Sequence, residues 1–416
     1  MGPFMYHDNL IPVKEAQEIV KNCISPLKSS ESEIIILENA NQRILAQDIK
    51  VLMDVPPFDR SAMDGYAVKS EDTGGASSDH PVKLKIVDKI GAGSVSKVVL
   101  KHQEAIQIAT GAPMPEGADA IIMQEFTHHE APQRVEEYVY LEKSVKSLQD
   151  VSEMGEDLKE GEIILKKGQL LSPHLVALIA SCGYRQVEVY KKPVIGVLIT
   201  GSELVEPSPH LKPGMIINSN KYALKSLIED CKAIPIIEMV PDDLDELTKK
   251  LEMMVDSCDA VITTGGTAVS EGDLIVDLVE EKGEVLFHGV SIKPGKPFAF
   301  GKINETPVFM LSGYPVAVAV QFDIFVRESI FNIQNIDWKL KTQSIIASSD
   351  IRSSKDKFNV TRAFLKDNEV QGLRTRAGIN KSITESNCYV ISPEGKGKIK
   401  KGNECQVVKY SSLNIC

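Results

Sequence analysis

The chain has 416 residues, which is too long for one hydrophobic core, so we expect about two to four domains. A content of 43% hydrophobic and 25% charged residues is that of an ordinary globular protein. The net charge of −11 argues against a nonspecific nucleic-acid binder, which needs a basic face to neutralise phosphates.

The sequence lacks the features of membrane and secreted proteins. No apolar run reaches the ~18 residues that a membrane span requires. The first residues, MGPFMYHDNLIPVKEAQEIV, lack the basic and apolar regions of a signal peptide, so a cytoplasmic location without a membrane partner is expected. The seven cysteines form no CxxC pair, which favours reduced thiols over a disulfide framework or a zinc site.

Two helical segments flank a β-rich segment in the first half of the chain. Apolar residues recur at helical spacing in VKEAQEIVKNCI (13–24) and in SPHLVALIASCG (172–183), which has a capping serine, a proline and a final glycine. Between them, short β-type runs are separated by Gly, Pro and Asp turns. We therefore predict a discontinuous helical linker domain (1–48 and 145–190) and a β-rich domain (49–144) inserted into it.

From residue 193 onward, apolar runs alternate with helical segments. VIGVLIT (194–200) is continuously apolar, as in a buried parallel strand, and IPIIEMV and AVITTG are two further strands. The helices that alternate with these strands are predicted at 219–231, 242–256 and 272–282, and an apolar helix follows at 315–333. This alternation predicts a doubly wound parallel α/β domain over residues 191–336.

Residues 337–416 contain short β runs and turn residues, which predict a small C-terminal β-barrel domain. The expected fold class is therefore multidomain α/β plus β.

Ligands of a doubly wound sheet bind beyond the carboxyl ends of its strands. Polar turns lie where the predicted strands end, and each alone could be only a helix cap or a surface turn. They are TGSEL (200–204), PDD (241–243), TTGGTAVSEGD (263–273), KPGKP (293–297) and SGYP (312–315). Because all of them follow predicted strands, we expect them to gather on one edge of the sheet.

These turns combine glycines, lysines and carboxylates. Gly265 and Gly266 allow the backbone to approach a ligand, and the helix that follows offers free N–H groups to an anion. The carboxylates at the same edge are Glu203, Asp242, Asp243 and Asp273. Near a phosphate, each would be repelled by roughly 4 kcal/mol at 4 Å and an effective dielectric of 20. A bound Mg²⁺ reverses the sign of this interaction, so the sequence predicts a metal-bridged anion site.

The stretch PPFDRSAMDGYAV (56–68) is the second unusual segment. Its prolines stiffen the entry and its Asp-Gly pair forms a turn, so either a rigid interdomain loop or part of a site is possible. The chain has no GxSxG or SxxK motif and no Walker lysine.

Taken together, the motifs resemble the molybdopterin molybdenumtransferases, namely the MoeA proteins and the gephyrin E domain, and most of all a prokaryotic MoeA-type protein. The motifs are FDRSAMDGYAV, ATGAPMPEGADAIIMQE, TGSEL, TTGGTAVSEGD and KPGKPFAFGK, in this order. The resemblance covers nearly the whole chain and is weakest after residue 340. It implies four domains, an elongated homodimer with sites shared between subunits, and the last step of molybdenum cofactor synthesis. In that step adenylylated molybdopterin is cleaved in the presence of molybdate, AMP leaves and the metal enters the dithiolene.

The resemblance also implies roles for individual residues. The catalytic positions fall on Asp64, Thr110, Glu203, Asp242 and Asp273. Of these, Glu203, Asp242 and Asp273 are the expected ligands of Mg²⁺. The residues expected to bind the substrates are Gly265, Gly266, Ser270, Lys293, Lys296, Ser312, Gly313 and Pro315. The adenylyltransferase that makes the substrate is a candidate partner protein.

Two departures from the family pattern leave alternatives open. The family usually has Pro-Gly-Asn-Pro where this chain has Ser312, Gly313, Tyr314 and Pro315, and it usually has a glycine in place of Ser270. The departures leave a tungstate-inserting homologue open, and two separate alternatives are a molybdopterin adenylyltransferase and a non-enzymatic scaffold. The full-length match disfavours the adenylyltransferase, and the intact set of carboxylates disfavours the scaffold.

Overall fold

The structure, a computed structural model, describes residues 10–25, 32–129, 137–265, 274–373 and 380–413. The chain divides into two compact units. The first unit comprises residues 1–33, 42–44 and 190–416, and the second comprises residues 34–41 and 45–189.

The α-helices of the described residues lie mainly in the first unit. In chain order they are α1 (Val13–Cys23), α2 (Pro173–Ser181), α3 (Ser219–Asp230), α4 (Leu244–Ser257), α5 (Leu274–Lys282), α6 (Pro315–Gln321) and α7 (Arg327–Ile333). The predicted apolar helix at 315–333 is therefore two α-helices, and a π-helical turn at Phe322–Val326 joins them. Within the described ranges, no helix is both long and apolar enough to cross a membrane.

The strands are short in the first half of the chain and longer in the second. The first twelve are β1 (Ser32–Ile36), β2 (Ile49–Lys50), β3 (Arg60–Ser61), β4 (Gly65–Val68), β5 (Val82–Ile90), β6 (Glu104–Ile108), β7 (Ala120–Met123), β8 (Thr127–His129), β9 (Tyr138–Leu141), β10 (Val151–Ser152), β11 (Ile163–Leu165) and β12 (Gln186–Tyr190). The others are β13 (Val194–Thr200), β14 (Leu204–Val205), β15 (Ile216–Ile217), β16 (Ile234–Val240), β17 (Ala260–Thr264), β18 (Glu284–His288), β19 (Ile292–Lys293), β20 (Ala299–Ile303), β21 (Thr306–Leu311), β22 (Gln343–Ala347), β23 (Phe358–Lys366), β24 (Glu369–Gly372), β25 (Cys388–Ser392) and β26 (Glu404–Lys409).

A six-stranded sheet forms the centre of the first unit, in the order β16-β13-β17-β21-β20-β18. The first four strands are parallel, whereas β20 runs antiparallel to both β21 and β18. Along β13, Val197 faces one hydrophobic cluster with α3 and α6, and Leu198 faces the other cluster with α4 and α5. Because successive side chains of a strand point to opposite faces, this packing confirms the doubly wound α/β arrangement.

Helix α1 packs with this same unit. Its apolar stripe, Val13, Ala16 and Val20, is buried in the hydrophobic cluster that contains α3 and α6. The backbone N–H of Ile11, just before the helix, donates to the carbonyl of Gly289. The sequence division placed residues 1–48 with the linker domain, but the buried stripe of α1 lies against the α/β core.

The last strands of the first unit form a closed barrel. The strands β23, β24, β22, β26 and β25 are paired in this order, and β25 also pairs with β23, which closes the circle. Buried apolar side chains such as Val370, Val390 and Val407 fill its interior. Closure leaves no free edge among these five strands, and it confirms the predicted C-terminal β barrel.

The second unit contains a six-stranded sheet, in the order β7-β4-β6-β5-β9-β8, with hydrophobic clusters on both faces. A separate cluster surrounds α2, where Ile179 packs with Leu45 and Val187. Ser172 caps α2 by accepting a hydrogen bond from the Leu175 N–H. The multidomain α/β plus β class is therefore confirmed, whereas the exact division into four domains stays a prediction.

Candidate functional site

The carboxyl ends of the parallel strands meet at one edge of the α/β sheet, and Gly265 lies at its centre. Gly265 follows β17 with φ +95°. A Cβ at this position would lie 2.1 Å from the carbonyl oxygen of Thr200, the last residue of β13. A Cβ added to Gly313, which follows β21, would lie 3.9 Å from the Gly265 Cα. Only glycine fits at 265, because both its φ value and the close approach of Thr200 exclude a side chain.

Asp242, which follows β16, reaches across to the loop after β13. Its carboxylate accepts hydrogen bonds from the Thr200 hydroxyl (2.6 Å) and the Ser202 N–H (3.0 Å). In return, the Asp242 N–H donates to the Ser202 hydroxyl (3.2 Å). Partial burial would raise the pKa of Asp242, but the hydrogen bonds from Thr200 and Ser202 outweigh it and hold the pKa below its ordinary value. The carboxylate is therefore ionised and fixed in orientation at neutral pH.

The neighbouring Asp243 has a different task. Its carboxylate accepts a hydrogen bond from the Glu246 N–H (3.0 Å), and it is the N-cap of α4. Of the two acids in the PDD turn, one thus caps a helix and the other, Asp242, faces the sheet edge.

Glu203 lies in the loop after β13, the loop whose Ser202 N–H donates a hydrogen bond to Asp242. A Cβ added to Gly201 would lie 2.9 Å from the Glu203 Oε2 atom, so the carboxylate folds back over this glycine. The Glu203 carbonyl accepts a hydrogen bond from the Ile216 N–H (2.8 Å), and the residue is exposed. The structure therefore brings Glu203, Asp242 and Gly265 to the same group of loops.

The lysine turn, residues 293–297, lies between β18 and β20. Strand β19 pairs in parallel with β23 of the barrel, with Lys293 opposite Asn359. The Phe358 N–H also donates to the Ser291 carbonyl (2.8 Å). The Lys293–Pro294 peptide bond is cis, and within the turn Lys293 is exposed while Lys296 is half-buried. The C-terminal barrel thus anchors the backbone that carries both lysines.

Buried amides hold the loop after β21. Asn220 donates from Nδ2 to the Gly313 carbonyl (2.8 Å) and also lies 3.3 Å from the Thr264 hydroxyl oxygen. The Thr264 hydroxyl in turn donates to the Ser312 carbonyl (3.0 Å). The Ser312 hydroxyl accepts from the Tyr314 N–H (3.3 Å), and Pro315 begins α6. The Ser312 hydroxyl and backbone thus both take part in the hydrogen bonds that hold this loop.

Asp64 and Thr110 belong to the second unit. The Asp64 carboxylate accepts from both the N–H (2.7 Å) and the hydroxyl (2.8 Å) of Thr110. These two hydrogen bonds lower the pKa of the exposed Asp64 carboxyl. The next residue, Gly65, has a packing reason to be glycine, because a Cβ there would lie 2.0 Å from the Ile122 carbonyl oxygen.

Three of the predicted site residues, Gly266, Ser270 and Asp273, lie outside the described residues. Across the described ranges, no group of three or more His, Cys, Asp or Glu side chains could hold a metal ion. Since Asp273 is not described, the predicted ligand set of Glu203, Asp242 and Asp273 stays a prediction.

Sequence reasoning missed the residues that hold the predicted ones in place. Thr200 and Ser202 orient Asp242, and Asn220 and Gln321 fix the loop after β21. A signal for Gln321 is present in the sequence, because it is a polar residue in the middle of the apolar helix at 315–333. A buried polar side chain requires hydrogen-bond partners, so such a position predicts a specific contact.

The fold and this sheet edge are those of a multidomain protein with a ligand-binding α/β domain, and two family models match successive parts of the chain. A family model described as "MoeA N-terminal region (domain I and II)" matches residues 11–183. A second one, described as "Probable molybdopterin binding domain", matches residues 196–332.

Individual relatives are similar to this chain over almost its full length. A Bacillus subtilis protein named molybdopterin molybdenumtransferase is 34% identical, with 97% of this chain and 95% of the relative covered. A Methanocaldococcus jannaschii protein named for molybdopterin biosynthesis is 37% identical, with 95% and 96% covered. The crystal structure of a molybdopterin biosynthesis MoeA protein from Pyrococcus horikoshii has 32% identity and a TM-score of 0.82, with 96% and 99% covered. The chain therefore belongs to the molybdopterin molybdenumtransferase family, an enzyme family of molybdenum cofactor biosynthesis, and the resemblance seen in its motifs is confirmed.

Proposed function

We propose that the chain inserts molybdate into adenylylated molybdopterin with Mg²⁺-dependent release of AMP. Water cleaves the phosphoanhydride bond between the pterin phosphate and AMP in this reaction, so molybdopterin keeps its phosphate and AMP leaves as a phosphate monoester. The two dithiolene thiols replace an oxygen ligand of molybdate, which leaves as water with their two protons. The observation that carries the proposal is Asp242, whose carboxylate is held by Thr200 and Ser202 beside Gly265, at the sheet edge to which Gln321 also ties the lysine turn. Cleavage of such a bond depends mainly on positioning and charge neutralisation, so a site without a covalent nucleophile suffices.

The donor set at this edge fits Mg²⁺. Each oxygen of the Asp242 carboxylate accepts one hydrogen bond from described residues, and each has a second lone pair for another partner. Mg²⁺ takes one or two protein carboxylates and completes its shell with water and substrate phosphate oxygens, so Asp242 and Glu203 would suffice, with Asp273 as the third candidate. Bound there, Mg²⁺ would neutralise charge on the phosphate oxygens.

The other loops would bind the anionic parts of the substrates. Lys293 and Lys296 are point charges for phosphate or for the molybdate oxyanion. Gly265, Gly266 and Gly313 allow a ligand to approach the backbone closely. By the family resemblance, Ser270, Ser312 and Pro315 are also expected to contribute to substrate binding.

We further propose that each site is shared between two subunits of a homodimer. Asp64 and Thr110 lie in the second unit. Along the chain they are more than a hundred residues away from Asp242 and Lys293, which lie on loops of the α/β sheet. We infer that the partner subunit supplies its Asp64 loop to the sheet edge of this chain. The enzyme that adenylylates molybdopterin is a candidate partner protein, because its product is the substrate proposed here.

A direct assay tests the proposed reaction. The purified chain is incubated with adenylylated molybdopterin, and AMP is quantified with and without Mg²⁺, molybdate and tungstate. We expect AMP release that requires Mg²⁺ and is stimulated by molybdate. Consumption of ATP with unmodified molybdopterin, and no AMP from the adenylylated form, would instead identify an adenylyltransferase. The ratio of the rates with molybdate and tungstate decides which metal the chain prefers.

A further inference from the structure

Gln321 connects two of the loops at the sheet edge. It is the last residue of α6, and its side chain is completely buried. Its Oε1 atom accepts a hydrogen bond from the N–H of Ser312 (2.9 Å), and its Nε2 atom donates to the carbonyl of Gly295 (2.8 Å). One amide therefore joins the loop after β21 to the lysine turn.

The amide of glutamine suits both ends of this bridge. A backbone N–H only donates and a backbone carbonyl only accepts, so the bridging side chain must accept at one end and donate at the other. Ser312 is buried, so its backbone N–H is a donor that needs an acceptor within the protein. Gln321 supplies that acceptor and uses its other end to hold Gly295.

The packing between Gln321 and Gly295 is equally close. Gly295 has φ +107°, and a Cβ there would lie 2.9 Å from the Gln321 Cγ atom. Since Gly295 stands between Lys293 and Lys296, the position of the glutamine side chain limits where the backbone of both lysines can lie.

We propose that Gln321 is a positioning residue that holds the lysine turn in place for the anionic ligand. This inference rests on the proposed function, because it takes Lys293 and Lys296 as the groups that bind phosphate or oxyanion. Gln321 itself touches no ligand and acts through the lysines. Its loss therefore changes ligand affinity only as long as the lysines are present.

The variant Gln321→Met tests this role, because methionine keeps the length and packing of the side chain and removes both hydrogen bonds. AMP and molybdate are titrated separately by calorimetry into the unmodified protein, Gln321→Met, Lys293→Ala/Lys296→Ala and the triple variant. For the ligand that the lysine variant weakens, we expect Gln321→Met to weaken binding roughly 10-fold, which corresponds to ~1.4 kcal/mol of lost interaction with the lysines. In the background without the lysines, Gln321→Met should have no further effect. An equal loss in both backgrounds would overturn the inference.

Gln334→Met is the matched control. Gln334 is also a buried glutamine, and its Nε2 atom donates to the carbonyls of Cys231 (2.7 Å) and Ile330 (3.1 Å). This variant loses two hydrogen bonds in the same unit without touching the sheet-edge loops, so we expect unchanged affinity for both ligands. Weakening equal to that of Gln321→Met would assign the effect to general destabilisation and overturn the inference.

Hydrogen exchange separates this inference from the proposed function. We expect faster amide exchange across residues 293–297 in Gln321→Met but not in Gln334→Met, whatever the ligand. Unchanged exchange in that turn would overturn the positioning role. If the unmodified protein bound neither AMP nor molybdate, the proposed function would fail while the exchange measurement still decided whether Gln321 holds the turn.

Discussion

Replacing Asp242 with asparagine should lower the rate of AMP release strongly while the free energy of unfolding changes little. In the unmodified protein the carboxylate accepts from the Thr200 hydroxyl and the Ser202 N–H. The Asn Oδ1 atom can accept from Ser202 while its Nδ2 atom donates to the Thr200 oxygen, because a hydroxyl both donates and accepts. The network therefore stays satisfied, and we expect the free energy of unfolding to fall by less than about 1 kcal/mol.

The same substitution removes the negative charge that we assign to Mg²⁺ binding. The loss of a charged group that stabilises the transition state costs about 3 kcal/mol or more, which corresponds to at least a ~100-fold lower rate. The rate of AMP release at fixed Mg²⁺ and substrate concentrations measures this effect, and thermal unfolding of the same samples measures stability. Because the carboxylate is held ionised by a lowered pKa, the effect of Asp242→Asn should persist across neutral pH.

Asp243→Asn provides the control at the adjacent position. Asp243 caps α4, and asparagine is as good an N-cap as aspartate, so this variant should keep both stability and activity. Turnover of Asp242→Asn within about threefold of the unmodified rate would remove Asp242 from the site. A large loss of stability in Asp242→Asn would instead refute the description of its hydrogen bonds.

Three further predictions concern the lysines, the dimer and Asp64. Lys293→Ala or Lys296→Ala should weaken binding of adenylylated molybdopterin or molybdate in calorimetric titrations, and unchanged affinities for both ligands would make the turn purely structural. When Asp64→Ala and Asp242→Ala chains are refolded together, half the dimers are mixed and about a quarter of all sites should recover AMP release, whereas confirmed mixed dimers without activity would contradict shared sites. Thr110→Val should raise the pKa of Asp64, measured by NMR titration, because the side-chain hydrogen bond is lost. The stability that the protein gains from the lowered pKa of Asp64 is present above the ordinary aspartate pKa and is lost as the pH falls through the folded value. A titration of Asp64 that is the same in Thr110→Val and in the unmodified protein would contradict the role of this hydrogen bond.

Much of the α/β sheet could be predicted because buried parallel strands carry a strong sequence pattern. β13 and β16 begin and end where the apolar runs VIGVLIT and IPIIEMV do. The direction of the last strands could not be predicted in this way, since an apolar run reads alike in a parallel and an antiparallel strand. The reversed direction of β20, which is antiparallel to both β21 and β18, became visible only in the pairing of the sheet.

The site was predictable in its residue types and only partly in its contacts. Strand order placed Asp242 and Gly265 at the same edge, but nothing local in the sequence indicates that Thr200 orients Asp242. The pairing of β19 with the barrel strand β23 joins Ile292 to Phe358, far apart in the chain, and such long-range contacts leave no periodic signal. Gln321 was missed for the related reason that a helical pattern identifies the buried face of α6 but not the partners of a polar side chain on it.

The ratio of AMP released to metal bound tests the central proposal most directly. The purified chain is incubated with adenylylated molybdopterin, Mg²⁺ and molybdate, AMP is quantified by chromatography, and metal retained by the pterin is quantified by elemental analysis. If bond cleavage and metal insertion are one coupled event, the amounts of AMP and of pterin-bound molybdenum should rise together in a constant, equal ratio. AMP release without retained metal, or retained metal without AMP, would contradict the account.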